Sequence, residues 1–162
     1  MSSDALPYAR SFRDLIVYQK QRQLSREVFR ASKSFPPEER YSQTDQLRRA
    51  ARSIGAQIAV SWAKRGYERH FISKLTDADA EQMEAQHWLE TAEDDGYLPA
   101  ADCSKLLGLF EEIGRMLGGM IERAPSLCTA PILRDDIAGY FCNEPADALP
   151  SSSDHRPPTN DD

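Results

Sequence analysis

Apolar residues return along this chain every three or four positions, in four stretches separated by short polar punctuation. That spacing stacks side chains on one stripe of an α-helix. In the first stretch Val17, Leu24, Val28 and Ala31 form the stripe, which predicts a helix from about Phe12 to Ser32. Ser11 or Asp14 suits its start, and Phe35-Pro36-Pro37 ends it. Pro36-Pro37-Glu38-Glu39 reads as the opening of a short helical turn, with its acids near the positive end. The second helix, from about Ser42 to Lys64, carries Leu47, Ala51, Ile54, Ile58 and Trp62. Gly55 inside it costs about 1 kcal/mol relative to alanine and suits a close helix contact. After Gly66, a third helix runs from about Tyr67 to Glu93. Its stripe is Phe71, Leu75, Ala78, Gln82, Ala85, Leu89 and Ala92, a bundle seam with one polar member. Asp95-Gly96 stops it. Pro99 fits the first turn of a fourth helix that reaches about Arg123, with Leu106, Phe110, Ile113, Leu117 and Met120 on one side, and Pro125 closes it.

No stretch shows strand alternation. Four amphipathic helices with short connections predict an all-α protein, an antiparallel up-down-up-down four-helix bundle over residues 11–124. Residues 1–10 are expected to be a flexible N-terminus. Residues 125–162 hold six of the ten prolines and end in PSSSDHRPPTNDD, the composition of a disordered acidic tail. Within it Leu133, Ile137, Tyr140 and Phe141 fall at helical spacing. Two readings stay open: a short docking helix, or scattered apolar residues in an unstructured tail.

Composition excludes several classes. The 162 residues are 40% hydrophobic and 28% charged, ordinary for a soluble domain. No apolar run approaches the roughly 18 residues needed to cross a bilayer. MSSDALPYAR lacks an apolar signal core, so a cytoplasmic location is expected. Cys103, Cys128 and Cys142 are odd in number and form no CxxC, against both a disulfide framework and a zinc site.

Charge divides the chain. Residues 1–75 hold 15 basic and 7 acidic side chains, a net of +8, and residues 76–162 hold 5 and 19, a net of −14. The end of the chain from Pro125 carries −5 of this, which leaves the preceding body nearly neutral. Such polarity suits an external polyanion, or subunit contacts of basic face against acidic face.

No catalytic constellation emerges. Glu84-Ala85-Gln86-His87 has the Glu-x-x-His spacing of dinuclear metal bundles, but that site needs the unit twice and here it stands once. Phosphate-binding glycine loops and the GxSxG elbow are absent. No cofactor, metal or small-molecule substrate is expected. The basic residues are better placed. Arg22, Arg26, Arg30 and Lys33 share a helix face opposite Val17, and Arg48, Arg49 and Arg52 cluster off the second stripe. Lys64, Arg65 and Arg69 bracket the turn at Gly66, with Trp62 and Tyr67 nearby. Arginine favours planar bidentate partners such as phosphate, and basic residues interleaved with aromatics suit RNA. The alternative is a solvated face with salt bridges to acids on the third helix. There Asp77, Glu81 and Glu84 form an acidic line that continues to Trp88. A large aromatic on such a line points to cover by another chain, and Gly114 and Gly118, four residues apart on the fourth helix, suit tight helix packing within the subunit or between subunits. Glu84, Trp88, Gly114 and Gly118 are therefore the expected oligomer contacts.

FRDLIVYQK at 12–20, QLRRAARSIGAQIAVSWAKRGYE at 46–68, FISKLTDADAEQMEAQHWLETA at 71–92, GYL at 96–98 and EEIGRML at 111–117 resemble the 23S rRNA-intervening-sequence protein family, also called four helix bundle proteins. The resemblance spans roughly residues 11–123 and keeps the order of all four helices. It implies an antiparallel bundle that assembles as a ring, commonly a pentamer. Some family members are encoded inside inserts in ribosomal RNA genes. A related bundle, the accessory protein of diversity-generating retroelements, binds a reverse transcriptase and nucleic acid through a basic surface. The resemblance thus implies RNA or an RNA-handling protein as partner, and carries over no catalytic residue. Val60 stands where the family commonly has Glu, and Ala85 where it often has Thr; both changes remove polarity.

Overall fold

A computed structural model describes residues 9–128, and the expectations for residues 1–8 and 129–162, including Leu133, Ile137, Tyr140 and Phe141, lie outside them. Four long helices make up most of the described chain: α1 (Ile16–Ala31), α2 (Gln43–Ala63), α3 (Glu68–Asp94) and α4 (Ala100–Glu122). A short helix, α5 (Ala124–Cys128), follows. No strand occurs among the described residues.

The first helix begins later than its periodicity predicts. Phe12–Asp14 forms a separate 3-10 turn, and Leu15 after it is extended. The Ser11 hydroxyl accepts from the Arg13 N–H at 3.0 Å while the Asp14 carboxylate accepts from the Ser11 N–H at 2.9 Å. This reciprocal cap closes the turn locally, so the helix proper starts at Ile16. The stop at Gly96 is a Schellman motif. Gly96 has φ of 75°, the Tyr97 N–H donates to the Ala92 carbonyl at 2.8 Å, and the Gly96 N–H donates to the Glu93 carbonyl at 2.9 Å. Only glycine takes that φ without strain.

Each helix contacts its sequence neighbours, and α1 also meets α4. Gln21 of α1 bonds to Ala51 of α2, and Ser32, just after α1, to Arg48. Arg49 meets Glu84, and Gln43 meets the Trp88 carbonyl. Between α3 and α4, Cys103 bonds the Leu89 carbonyl while Gln82 lies against Gly114. Lys20 pairs with Glu112 across α1 and α4 at 2.7 Å. The core holds the predicted stripes: Val17, Leu24, Leu47, Ile54, Ile58, Phe71, Leu75, Leu89, Phe110, Ile113 and Leu117 are all buried. Burial pushes the Cys103 thiol up to about 12, which makes it an inert packing group at neutral pH.

The fourth helix ends before Pro125, yet the chain remains helical to Cys128. Pro125 sits in the first turn of α5, where its missing N–H costs nothing. Ala124 is buried and Leu127 packs against the core.

Candidate nucleic-acid interface

The seam between α1 and α2 carries an open groove. Tyr18, Gln21, Arg22, Ser25, Arg26 and Phe29 form one stripe on α1, at spacings of three and four. Arg52, Gly55, Ala56 and Ala59 form the facing stripe on α2. Small residues on α2 leave a groove of about 510 Å³, closed at one end by Phe12. That volume falls in the range of ligand sites, about 300–1,000 Å³. A shallower hollow on the outer side of α1, lined by Arg13, Tyr18, Gln19, Arg22 and Arg26, shares three of its residues.

The groove contains three arginines and no carboxylate. Arg22, Arg26 and Arg52 are exposed, and none belongs to an ion pair among the described residues. Their positive charge is thus uncompensated at short range. Aromatic rings stand at both ends. Phe12 and Tyr18 meet edge to face with centroids 4.9 Å apart. At the other end Phe29 is 38% exposed, with Lys33 Nζ 5.0 Å and the Arg48 guanidinium 4.7 Å from its ring centre.

The nine basic residues expected to bind together separate into groups. Arg22, Arg26 and Arg52 share the groove, and Lys33 and Arg48 border it through Phe29. Arg48 is half-buried, and its Nε donates to the Ser32 hydroxyl at 2.7 Å. Burial, then the charges of Arg52 and Arg40, holds its guanidinium below the ordinary arginine value. Arg30 pairs with Glu27 at 3.2 Å. Arg49 leaves the set, because it faces α3 and binds Glu84 at 2.9 Å and Gln46 at 2.8 Å. Lys64 and Arg65 do not line the groove; Arg65 stacks 4.3 Å over Trp62 and donates to that residue's carbonyl at 2.8 Å.

Three of the four expected contact residues find partners within the chain. Trp88 is half-buried against the core, and its indole N–H donates to Glu84 at 3.3 Å. Glu84 thereby joins Arg49 and Trp88 in one network across α2 and α3. A Cβ at Gly114 would lie 3.0 Å from Gln82 Nε2, so this glycine serves helix packing inside the bundle. Gly118 is exposed with open space around it. Among the described residues no three His, Cys, Asp or Glu side chains gather as a metal site. Among the same residues no helix is long and apolar enough to cross a membrane.

The model of the 23S rRNA-intervening sequence protein family matches residues 13–119, about two thirds of the chain and all four long helices. The chain belongs to this family. A crystal structure at 1.70 Å of a protein of unknown function from the S23 ribosomal protein family of Bacteroides thetaiotaomicron superposes with a TM-score of 0.60. It is 24% identical and covers 66% of this chain and 96% of its own. At that identity the likeness speaks for the fold alone. No curated protein matches the chain.

The groove's aromatics were not those that sequence reasoning singled out. Trp62 and Tyr67 were the expected neighbours of the basic residues, whereas Phe12, Tyr18 and Phe29 line the site. The signal was present in the Tyr18–Gln21–Arg22–Ser25–Arg26–Phe29 stripe, which runs alongside the buried Val17–Leu24–Val28 stripe. Its meaning depended on which residues of α2 stood opposite.

Proposed function

We propose that this protein is a non-enzymatic, antiparallel up-down-up-down bundle that binds RNA through the seam of α1 and α2. One observation carries this reading: three exposed arginines without carboxylate partners surround a groove with aromatic rings at its ends. Phosphates would seat on Arg22, Arg26 and Arg52, whose planar guanidinium groups donate to phosphate oxygens bidentately. Membership of the intervening-sequence family agrees with an RNA setting, and a cytoplasmic location follows from such a partner. The test is titration of a labelled single-stranded RNA with wild type and with Arg22→Glu/Arg26→Glu at two salt concentrations. Wild type should bind with a log-log salt slope near −0.7 per phosphate neutralised. Absence of binding at low salt, or equal binding by the charge-reversed variant, overturns the reading.

A second reading, a homo-oligomeric ring such as a pentamer without a nucleic-acid role, has its own support. Ile16 is 62% and Met83 63% exposed, although both are large apolar residues on helix surfaces. Ile16 also borders a groove of about 480 Å³ lined by Met116, Met120 and Leu127. Unequal faces close into a ring when the contact is heterologous. Light scattering at micromolar concentration tests this, and a lone species of 18.3 kDa overturns it. In a ring, weak RNA contacts would add by multivalency, so the two readings are compatible.

A further inference from the structure

The α1–α2 groove contains a hydrogen-bonding device that phosphate binding does not need. Gln21 is 2% exposed, yet it lines the groove. Its amide nitrogen makes two hydrogen bonds, to the Ala51 carbonyl at 2.7 Å and to the Ser25 hydroxyl at 2.7 Å. Ser25 in turn donates to the same carbonyl at 3.1 Å. Two acceptors fix which way the amide faces. The Gln21 oxygen then accepts no hydrogen bond among the described residues. It lies over Gly55, where an added Cβ would come within 2.2 Å of it. Glycine at 55 therefore makes room for this oxygen in the floor of the groove.

Resting on the RNA reading above, we infer that the groove admits one unpaired base, whose N–H edge donates to Gln21 Oε1. The walls suit such a guest. Tyr18, one turn from Gln21, supplies ring surface, and Ala56 and Ala59 on α2 leave space beside it. Arg22, Arg26 and Arg52 at the rim hold the phosphates on either side of the inserted base. A base held within a duplex has its N–H edge occupied by its pairing partner and cannot enter. The site thereby selects single strands and reads a base edge, whereas arginines alone would accept any polyanion.

Fluorescence anisotropy with the full chain tests this with four labelled 12-nucleotide probes. They are oligo(U), the same length with abasic riboses, oligo(N3-methyluridine), and a 12-base-pair RNA duplex. Stacking contributes roughly 5- to 150-fold per base, so oligo(U) should bind at least about 5-fold tighter than the abasic probe. N3-methyluridine keeps the ring and loses the N–H donor, and it should also bind more weakly than oligo(U). Tyr18→Ala, checked for folding by thermal melting, should shrink the difference between oligo(U) and the abasic probe. It should leave the salt slope unchanged. Equal affinity of wild type for oligo(U) and either modified strand, or for the duplex, overturns the base slot while leaving phosphate binding intact. Failure of all four probes to bind removes the RNA reading itself, and the slot with it.

Discussion

Helix α2 carries arginines on two sides, and the sides meet different surroundings. Toward α3, Arg49 binds Glu84, which also accepts from Trp88. Toward α1, Arg52 stands exposed beside a groove that holds two further arginines and no acid. The interiors of the two seams differ in the same sense. The α2–α3 contact is the most extensive in the bundle, and large apolar residues such as Phe71 and Leu75 fill the α3 stripe. The groove side of the α1–α2 contact is lined by Gln21 and Ser25, which bond to the Ala51 carbonyl, and by Gly55. One seam thus satisfies its charges and buries its bulk, while the other leaves both charge and space available. Charge left unpaired beside a hollow is what a polyanion site requires, and it adds little to the stability of the fold.

If the apolar stripe of α3 holds the bundle together, truncation there should have the largest effect. Phe71 is fully buried, and Phe71→Ala should lose about 3–5 kcal/mol in chemical denaturation. A loss under 1 kcal/mol would mean that this stripe does not organise the core. The polar seam should respond less, and through one identifiable pair. Gly55→Ala places a methyl group on Gln21 Oε1 and should cost about 1–3 kcal/mol. Combining it with Gln21→Ala should give less than the sum of the two changes, and additive losses would contradict the fit between them.

Smaller effects are expected from the charged side of α2–α3. One Glu81 carboxylate oxygen is buried without a hydrogen-bond partner. Burial, then the charges of Glu84 and Asp77 against that of Arg49, raises its pKa above 4.5. The folded state therefore holds this proton to higher pH than the unfolded chain does. The resulting stability is present below pH 4.5 and is lost as pH rises through the elevated folded value. Glu81→Gln should flatten the pH dependence of stability above pH 4.5, and an unchanged profile would exclude Glu81 as its source. The smallest effect belongs to the Arg49–Glu84 pair, whose side chains are 53% and 37% exposed. Arg49→Ala should change stability by about 0–1 kcal/mol, in line with other exposed pairs.

Much of the fold was legible in the sequence. Heptad-like stripes placed four helices within a few residues of their observed limits, because burial in a bundle repeats with the helix turn. The misses were local. Phe12–Asp14 separates from α1 because the Ser11–Asp14 cap closes its own turn. Residues 125–128 continue as helix because Pro125 falls in a first turn, where proline is tolerated. The candidate site was legible only in part. The basic faces could be read helix by helix, but sorting Arg49 from Arg52 requires knowing that one faces α3 and the other α1. Gly55 looked like a weak point in a helix, and its role appeared only with Gln21 opposite.

The difference between Arg52 and Arg49 gives the most direct measurement. Both lie on α2 three residues apart, and reversing either charge changes the net charge equally. Single-stranded RNA should be titrated against wild type, Arg52→Glu and Arg49→Glu at the same low salt, with helical content checked for each. The expected result is a large loss of affinity for Arg52→Glu and near wild-type affinity for Arg49→Glu. Equal losses for both would show that RNA responds to overall charge, and a greater loss for Arg49→Glu would place binding on the α2–α3 side; either would contradict the groove as the binding site.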